Sequence, residues 1–257
     1  MIDLGHFLLS TGMIFGPVIG YIDQYRLINQ TKTSTGFHPK TCAILLFANI
    51  LRIFFWFGKR FDTTLLIQSI VMIVSQLILL ELVIRYRPTP TLMSDDDDDD
   101  ESLSIEADHP WQRAWQQRHS FWNWPTFLDY LNFLLAFTTC ISLLYVFFRH
   151  VPSLIELLGL ISLGIESTLP LPQCISNYKN RSTAGFSLLV LMSWFFGDSF
   201  KVFYYISNQA PYQFILCGGI QLTIDFLIVL ECIIFSSKIK KWLGSSLTSR
   251  SDYEPLE

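Results

Sequence analysis

Apolar residues along this chain are gathered into seven long stretches, which form two blocks on either side of a polar linker. A helix that crosses a bilayer needs about 20 mostly apolar residues, and each stretch comes close to that length. We therefore predict an all-α integral membrane fold with seven transmembrane helices. Their expected spans are residues 4–24, 41–58, 64–85, 127–148, 152–172, 186–206 and 212–236.

The composition agrees with a membrane protein and argues against an ordinary soluble domain. The 257 residues are 51% hydrophobic and 16% charged, with a mean hydropathy of +0.37, whereas about a quarter of the residues in soluble domains are charged. The net charge of −4 says little about partners, because the run Asp95–Glu101 alone supplies seven negative charges. The N-terminus has no basic segment before its first apolar stretch, so we expect this stretch to remain as a helix.

Nothing in the sequence indicates an enzyme, a cofactor, a metal site or a nucleic-acid partner. The five cysteines are scattered without a Cys-x-x-Cys spacing, which argues against a zinc site and a disulfide framework. The chain also lacks a nucleophile elbow and a phosphate-binding loop. A function carried out within the membrane is therefore the better expectation.

Basic residues predict the orientation of the helices. One set of loops, with the C-terminal tail, holds thirteen Lys and Arg residues, whereas the opposite loops hold only Lys59, Arg60 and Arg149. Because basic residues accumulate on the cytosolic side of membrane proteins, we predict a lumenal N-terminus and a cytosolic C-terminus.

The two apolar blocks resemble each other at an offset of 149 residues, which indicates an internal repeat. Matched positions include Gln24 with Gln173, Phe47 with Phe196, Asn49 with Asp198 and Arg52 with Lys201. Each block holds three predicted helices and one helix separates them, so both copies start on the same side of the membrane. We predict two parallel three-helix repeats joined by a single helix (3+1+3), an arrangement known in transporters.

This organisation divides the chain into five parts. They are a first repeat at 1–86, a cytosolic linker at 87–124, a linking transmembrane helix at 125–150, a second repeat at 151–237 and a cytosolic tail at 238–257. The acidic run in the linker is a block of like charge that we expect to be solvated.

Two segments are candidates for contact with the membrane surface. The linker residues Trp111, Trp115, His119 and Trp122 recur at near-helical spacing and predict a short amphipathic helix in the head-group zone. A soluble interaction motif is the alternative. In the tail, Lys238, Lys240 and Lys241 predict contact with anionic lipid, although basic residues at this position also serve as a topology signal.

Ionisable residues inside the predicted spans are candidates for a transport path, because charges are unfavourable in hydrocarbon and usually face a bundle interior or a wet cavity. Asn49 precedes Arg52 by three residues, as Asp198 precedes Lys201, so each pair shares a helical face. Arg52 has no acid beside it and needs one from elsewhere. The path candidates are Asn49, Arg52, Glu166, Asp198, Lys201 and Asp225, with Glu166 and Asp225 as possible partners of Arg52.

Two interpretations of these residues stay open. They form either a closed ionic network that holds the repeats together, or a wet polar track for a zwitterionic head group or small solute. In the second case Lys and Arg would attract phosphate and the acids would attract an ammonium group. Near the predicted cytosolic helix ends, Glu81 and Glu231 are expected to form solvated pairs with Arg85 and Lys238.

The segment from Leu169 to Ser187 resembles a PQ-loop motif, with Pro172-Gln173 near a helix end, a basic loop, and Ser/Thr-x-Gly-Phe-Ser opening the next helix. The first repeat is similar around Gln24 but has Asp23 in place of the proline. This resemblance is to the PQ-loop repeat family, which includes cystinosin-like and SWEET proteins. Pro172 removes a backbone donor and obstructs the preceding turn, so we expect a hinge or a fixed kink there. Gln24 and Gln173 either bond across helices or line the path.

Within that family, residues 48–61 and 196–204 resemble the eukaryotic endosomal and trans-Golgi branch. The resemblance implies phospholipid scrambling and a role in endosome-to-Golgi traffic. Two other functions stay open. One is a proton-coupled exporter of amino-acid-like solutes, with Asp198, Asp225 or Glu166 as proton carrier, and the other is a trafficking adaptor. An enclosed cavity would favour a solute carrier, whereas a polar groove open to lipid would favour scrambling.

The predicted orientation can be tested on two glycosylation sequons, Asn29-Gln-Thr and Asn180-Arg-Ser. Both fall in predicted cytosolic loops, so neither should carry glycan. The measurement is the gel mobility of the protein from glycosylating cells before and after endoglycosidase treatment. A mobility shift that is lost in the Asn29→Gln or Asn180→Gln variant would invert the predicted topology.

Overall fold

The computed structural model describes residues 4–34, 37, 39–87, 122, 124–180 and 188–235, with only the backbone described for 188–190. These residues form α-helices and no strand. The helices are α1 (Leu4–Thr31), α2 (Pro39–Lys59), α3 (Thr63–Arg85), α4 (Phe127–Phe148), α5 (Pro152–Ser167), α6 (Leu171–Asn180), α7 (Leu188–Ser207) and α8 (Tyr212–Phe235). The all-helical prediction is confirmed for this part of the chain.

Six described spans are long and apolar enough to cross a membrane. They are α1, α2, α3, α4, α8 and the stretch Pro152–Asn180, which contains both α5 and α6. The remaining predicted span corresponds to α7, which carries Asp198 and Lys201 and is not among the six. Its 20 residues nevertheless measure about 30 Å, the thickness of the hydrocarbon core.

Two spans are longer than predicted, and one breaks at a different place. α1 continues to Thr31 with Pro17 inside it, and the fifth span continues to Asn180. The break in this span lies between Ser167 and Leu171, before the predicted position at Pro172. Pro172 is the second residue of α6, where its missing N–H leaves no helical bond unmade.

Six of the seven spans, all except α4, form a ring. Going round it, α1 contacts α3, α3 contacts α2, α2 contacts α5, α5 contacts α8, α8 contacts α7, and α7 returns to α1. α4 lies outside the ring against α2 and α3, and α6 continues along α8. In the first half (α1–α3) and in the second half (α5–α8), the last helix therefore lies between the other two.

The two ends of the ring are named here by the chain termini. The end at which α1 begins, called the N-terminal end, also holds the α2–α3, α4–α5 and α7–α8 connections. The opposite end, where α1 and α8 finish, is called the C-terminal end. At that end the N–H of Ser34 bonds to the carbonyl of Tyr86 at 3.0 Å and so ties the end of α1 to the end of α3.

The contact between α2 and α5 is the tightest join between the halves. A Cβ added at Gly159 would lie 2.6 Å from the ring of Phe55, and one added at Gly58 would lie 2.6 Å from Ile155. The hydroxyl of Ser162 donates to the carbonyl oxygen of Ala48 at 2.9 Å. Each glycine thus leaves room for a large side chain of the opposite helix, and the two backbones come close together.

The end of the linker packs against the first half. Trp122 is only 1% exposed and contacts the rings of Phe47, Trp124 and Tyr130. The Arg87 guanidinium donates to the Tyr130 hydroxyl at 3.0 Å. Trp122 is therefore a buried anchor. Its spacing predicts a helix in the head-group zone, and for Trp122 this prediction is wrong. Trp111, Trp115 and His119, with Asp95–Glu101, lie outside the described residues.

The α2–α5 contact predicts opposite effects for two glycines of the same helix. Gly159→Ala should destabilise the protein by about 1–3 kcal/mol, because its methyl group collides with the buried Phe55 ring. Gly164→Ala is the control: an added Cβ there meets no atom within 4 Å, and alanine favours the helix by up to about 1 kcal/mol. The measurement is thermal unfolding in detergent, and equal midpoints for the two variants would contradict the packing described.

Candidate functional site

The candidate site is a cluster of charged side chains at half height in the ring. Glu166 is the midpoint of the Pro152–Asn180 stretch, and Asp198 and Asp225 lie within two residues of the midpoints of α7 and α8. Arg52 lies seven residues from the end of α2, about 10 Å along the helix. These charges are therefore placed where a bilayer would be least polar.

Arg52 forms an ion pair with Glu166, which connects α2 of the first half to α5 of the second half. The Arg52 side chain is only 2% exposed, and its Cζ lies 5.7 Å from the ring centre of Phe214 on α8. Its Nε has no hydrogen-bond partner among the described residues. Of the two acids predicted as possible partners of Arg52, Glu166 is the one that pairs with it in the structure.

Asp198 and Lys201 form a second ion pair within α7, at 2.9 Å. The amide of Gln221 on α8 donates to the other Asp198 oxygen at 2.7 Å. Asp225, one turn beyond Gln221 on α8, is fully buried, and neither of its carboxylate oxygens has a hydrogen-bond partner among the described residues.

The space between these side chains is small. The cavity has a volume of about 10 Å³, which is room for roughly one water molecule. Its lining residues are Arg52, Leu163, Glu166, Asp198, Lys201, Tyr205, Phe214, Cys217, Gly218 and Gln221. No head group or sugar fits, so this conformation is the closed network, the first of the two interpretations.

Polar contacts also close the N-terminal end of the ring. The Tyr204 hydroxyl on α7 donates to Asp62 at the start of α3, at 2.6 Å. Lys59 at the end of α2 pairs with Glu156 on α5, and Gln213 at the start of α8 donates to the other Glu156 oxygen. The Tyr204–Asp62 and Lys59–Glu156 contacts join the first half to the second, and the Gln213 contact ties α8 to α5 within the second half.

The seam between α1 and α7 is packed less tightly than the one between α2 and α5. α1 meets α7 at Gly12, where an added Cβ would lie 3.4 Å from the Phe200 ring. One turn nearer the C-terminal end, a Cβ added at Gly16 or at Gly197 would meet no atom within 4 Å. Gly197 lies between Phe200 and Lys201 around the α7 axis, so this open position of α7 is beside the charged cluster.

Several residues of the site were missed by reasoning from sequence. Tyr205 and Gln221 line the cavity, and Tyr21 of α1 lies within electrostatic range of Glu166, Asp198 and Lys201. Helical periodicity could have found two of them. Tyr205 is one turn beyond Lys201 on α7, and Gln221 is one turn before Asp225 on α8.

The other predicted residues lie away from the cluster or bond locally. The Asn49 amide donates to the Leu45 carbonyl of its own helix, at 2.8 Å. Gln173 donates to Asn177 within α6 at 2.7 Å, so no bond across helices is made by this amide. Gln24 is half-buried in α1, and Pro172 begins α6. Their roles in transport stay predictions, and the basic residues at 238–241 lie outside the described residues.

Glu231 differs from its prediction as a solvated surface acid. It is buried near the C-terminal end of α8, and the Cys174 thiol donates to its Oε1 at 3.5 Å. Glu81 by contrast pairs with Arg85 as predicted, and the Arg85 side chain is largely exposed.

Comparison with known proteins places this geometry in context. Residues 154–214 match the model of a family described as PQ loop repeat. Scramblase ANY1 of Saccharomyces cerevisiae is 28% identical over an alignment of 278 residues, gaps included. The alignment covers 86% of this chain and 69% of the yeast protein. The fold is similar to that of a eukaryotic SWEET transporter of 14% identity, with a TM-score of 0.59 over 91% of this chain and 98% of that one.

The Arg52–Glu166 pair predicts strong coupling between two substitutions. Arg52→Leu alone leaves Glu166 buried without a partner and should cost about 3–5 kcal/mol, whereas Arg52→Leu with Glu166→Leu should cost less than Arg52→Leu alone. The exposed pair supplies the control, since Arg85→Gln should change stability by at most about 1 kcal/mol. Thermal unfolding in detergent measures these three variants and Glu166→Leu alone, and additive losses at Arg52 and Glu166 would contradict the pairing.

Proposed function

We propose that this PQ-loop repeat membrane protein is a phospholipid scramblase of endosome and trans-Golgi membranes that acts in endosome-to-Golgi traffic. Its substrate and principal partner is membrane phospholipid. The head group crosses the bilayer along the charged cluster while the acyl chains stay in the surrounding lipid. The compartment and the traffic role rest on the resemblance to the endosomal and trans-Golgi branch.

The observation that carries the proposal is the loosely packed seam beside the cluster. A scramblase needs a polar path with one side open to lipid, because the acyl chains cannot follow a head group into a closed pore. Beyond the contact of Gly12 with Phe200, a Cβ added at Gly16 or Gly197 would meet no atom within 4 Å, and Gly197 is next to Asp198 and one turn from Lys201 on α7. The Lys201 side chain is 18% exposed, against 2% for Arg52 at the tight α2–α5 join.

The chemistry of the cluster fits a phospholipid head group. Lys201 and Arg52 offer donors to a phosphate, and Asp198, Glu166 and Asp225 offer acceptors to an ammonium group. The similarity over most of the chain to a yeast protein described as a scramblase supports scrambling as the activity.

The proposal includes the predicted architecture. The first and second halves are two parallel three-helix repeats with α4 as the joining helix, and the N-terminus is lumenal with the C-terminus cytosolic. The shared neighbour order of the halves supports this 3+1+3 arrangement, as does the fold similarity to the SWEET transporter.

A proton-coupled solute transporter is the second candidate, because of Asp225. A buried carboxyl group without a donor, next to another carboxyl group, is a place where a proton can be taken up and released. The similarity of fold to a transporter is compatible with this function. For the third candidate, the trafficking adaptor, the linker and tail that would bind partners lie outside the described residues.

Reconstitution tests the proposal directly. Purified protein is placed in vesicles that carry a phospholipid with a fluorescent acyl chain in both leaflets, and dithionite is added outside. A scramblase brings inner-leaflet lipid to the reductant, so bleaching should go well beyond the outer-leaflet fraction. Bleaching no greater than in protein-free vesicles would contradict the proposal, and proton-driven solute uptake by those vesicles would then favour the second candidate.

Variants in the same assay test the seam. Gly197→Leu fills the open space at this position of α7, beside Lys201. It should slow bleaching by about fivefold, equivalent to about 1 kcal/mol in barrier height. Gly164→Leu is the matched control, since it adds the same side chain at another open glycine, on α5. Lys201→Met should also slow bleaching through loss of the phosphate donor. Equal rates for Gly197→Leu and Gly164→Leu would remove the seam from the path.

A further inference from the structure

A second polar site lies between α6 and α8, toward the C-terminal end of the ring. Glu231 of α8 is 9% exposed and Asn177 of α6 is 3% exposed. Each makes one contact: the Cys174 thiol donates to Glu231 Oε1 at 3.5 Å, and Asn177 Oδ1 accepts from Gln173 at 2.7 Å. Glu231 Oε2 and Asn177 Nδ2 have no hydrogen-bond partner among the described residues.

These two free groups are unfavourable without a ligand. A buried carboxylate oxygen and a buried amide N–H that make no hydrogen bond each carry an uncompensated loss of hydration. The two helices contact each other along this stretch, and Asn177 follows Cys174 by three residues, so both face the same side of α6. One free acceptor and one free donor thus lie on two helices that contact each other.

The site continues the charged cluster along α8. Glu231 is six residues beyond Asp225, about 9 Å further along the helix. Between them, Ile228 is fully buried, so α8 faces its neighbours along this whole length. Glu231 lies about 120° around the α8 axis from Asp225, on the side that faces Cys174 of α6, so the polar positions turn around α8 as they approach the C-terminal end.

We propose that Glu231 and Asn177 form a binding site for a head group that carries both an ammonium and a phosphate. The ammonium donates to Glu231 Oε2, and a phosphate oxygen accepts from Asn177 Nδ2. The inference deepens the proposed scramblase function, on which it rests for its place in the path: a head group that leaves the cluster stops here before it reaches the membrane surface. A head group without an amine could use only Asn177, because it has no group that donates to Glu231.

A binding experiment tests the site independently of scrambling. Thermal unfolding of the full chain in detergent is measured with O-phosphoethanolamine and with inorganic phosphate. We expect O-phosphoethanolamine at saturation to raise the unfolding midpoint by about 2–4 °C and phosphate to have little effect. Glu231→Gln should abolish the shift, whereas Glu81→Gln, at an acid near the same end of α3, should retain it. No shift for the unsubstituted chain, or equal shifts in Glu231→Gln, would overturn the proposal.

The vesicle assay then places the site in the path and separates a lipid head group from a free solute. Glu231→Gln should slow the scrambling of phosphatidylethanolamine by about fivefold, a factor that corresponds to about 1 kcal/mol, and leave phosphatidylglycerol nearly unchanged. Equal slowing of both lipids would mean a structural role and overturn the proposal. If Glu231→Gln does not fold, Asn177→Leu replaces it in the binding experiment, where loss of the phosphate donor should abolish the shift with O-phosphoethanolamine. A chain that binds O-phosphoethanolamine but scrambles no lipid would contradict the proposed function and leave the binding site standing.

Discussion

An arginine in the interior of a membrane-spanning bundle has to be matched by an acid, and Arg52 takes its acid from the other half of the molecule. The ion pair with Glu166 is made where water is nearly absent, so either residue without the other would be strongly unfavourable. The pair therefore makes the two halves depend on each other. It also sets the position of α5 against α2, where two glycines admit Phe55 and Ile155.

The predicted repeat explains why the two ion pairs differ. At the offset of 149 residues Arg52 corresponds to Lys201, and Glu166 corresponds to Pro17. α1 thus offers Lys201 no acid, and Lys201 pairs instead with Asp198, which replaces Asn49 on its own helix. The contact of Phe55 with Gly159 has its counterpart in Tyr204 and Ser10, which also meet, with their hydroxyl oxygens 3.4 Å apart. The α2–α5 and α1–α7 seams thus make a contact at corresponding positions, but the α2–α5 seam is packed more tightly.

Apolar stretches and charge spacing were enough to predict the helices and the Asp198–Lys201 pair, because both depend on local order along the chain. The partner of Arg52 stayed open between Glu166 and Asp225, because that pair joins helices distant in sequence. Sequence reasoning could not tell that α1 runs to Thr31 or that α6 continues past Pro172, since polar residues at a helix end are compatible with helix and with loop. It missed the burial of Trp122 and Glu231 because burial comes from contacts with helices distant in sequence. Tyr205 and Gln221 were overlooked although their one-turn spacing from charged residues was available.

A closed cavity and a transport function are compatible if the substrate itself replaces a broken contact. Moving Arg52 or Lys201 away from its carboxylate is unfavourable in a dry interior, but a lipid phosphate brings an anion that can take the place of that carboxylate. The ammonium group of the lipid can in turn pair with the carboxylate that Arg52 or Lys201 has left. The number of unpaired charges then need not rise as the head group passes. Of the two seams between the halves, only the one between α1 and α7 can separate without pulling Arg52 from Glu166. In the proposed function the lipid would therefore enter beside Lys201, while the Arg52 pair holds the molecule together.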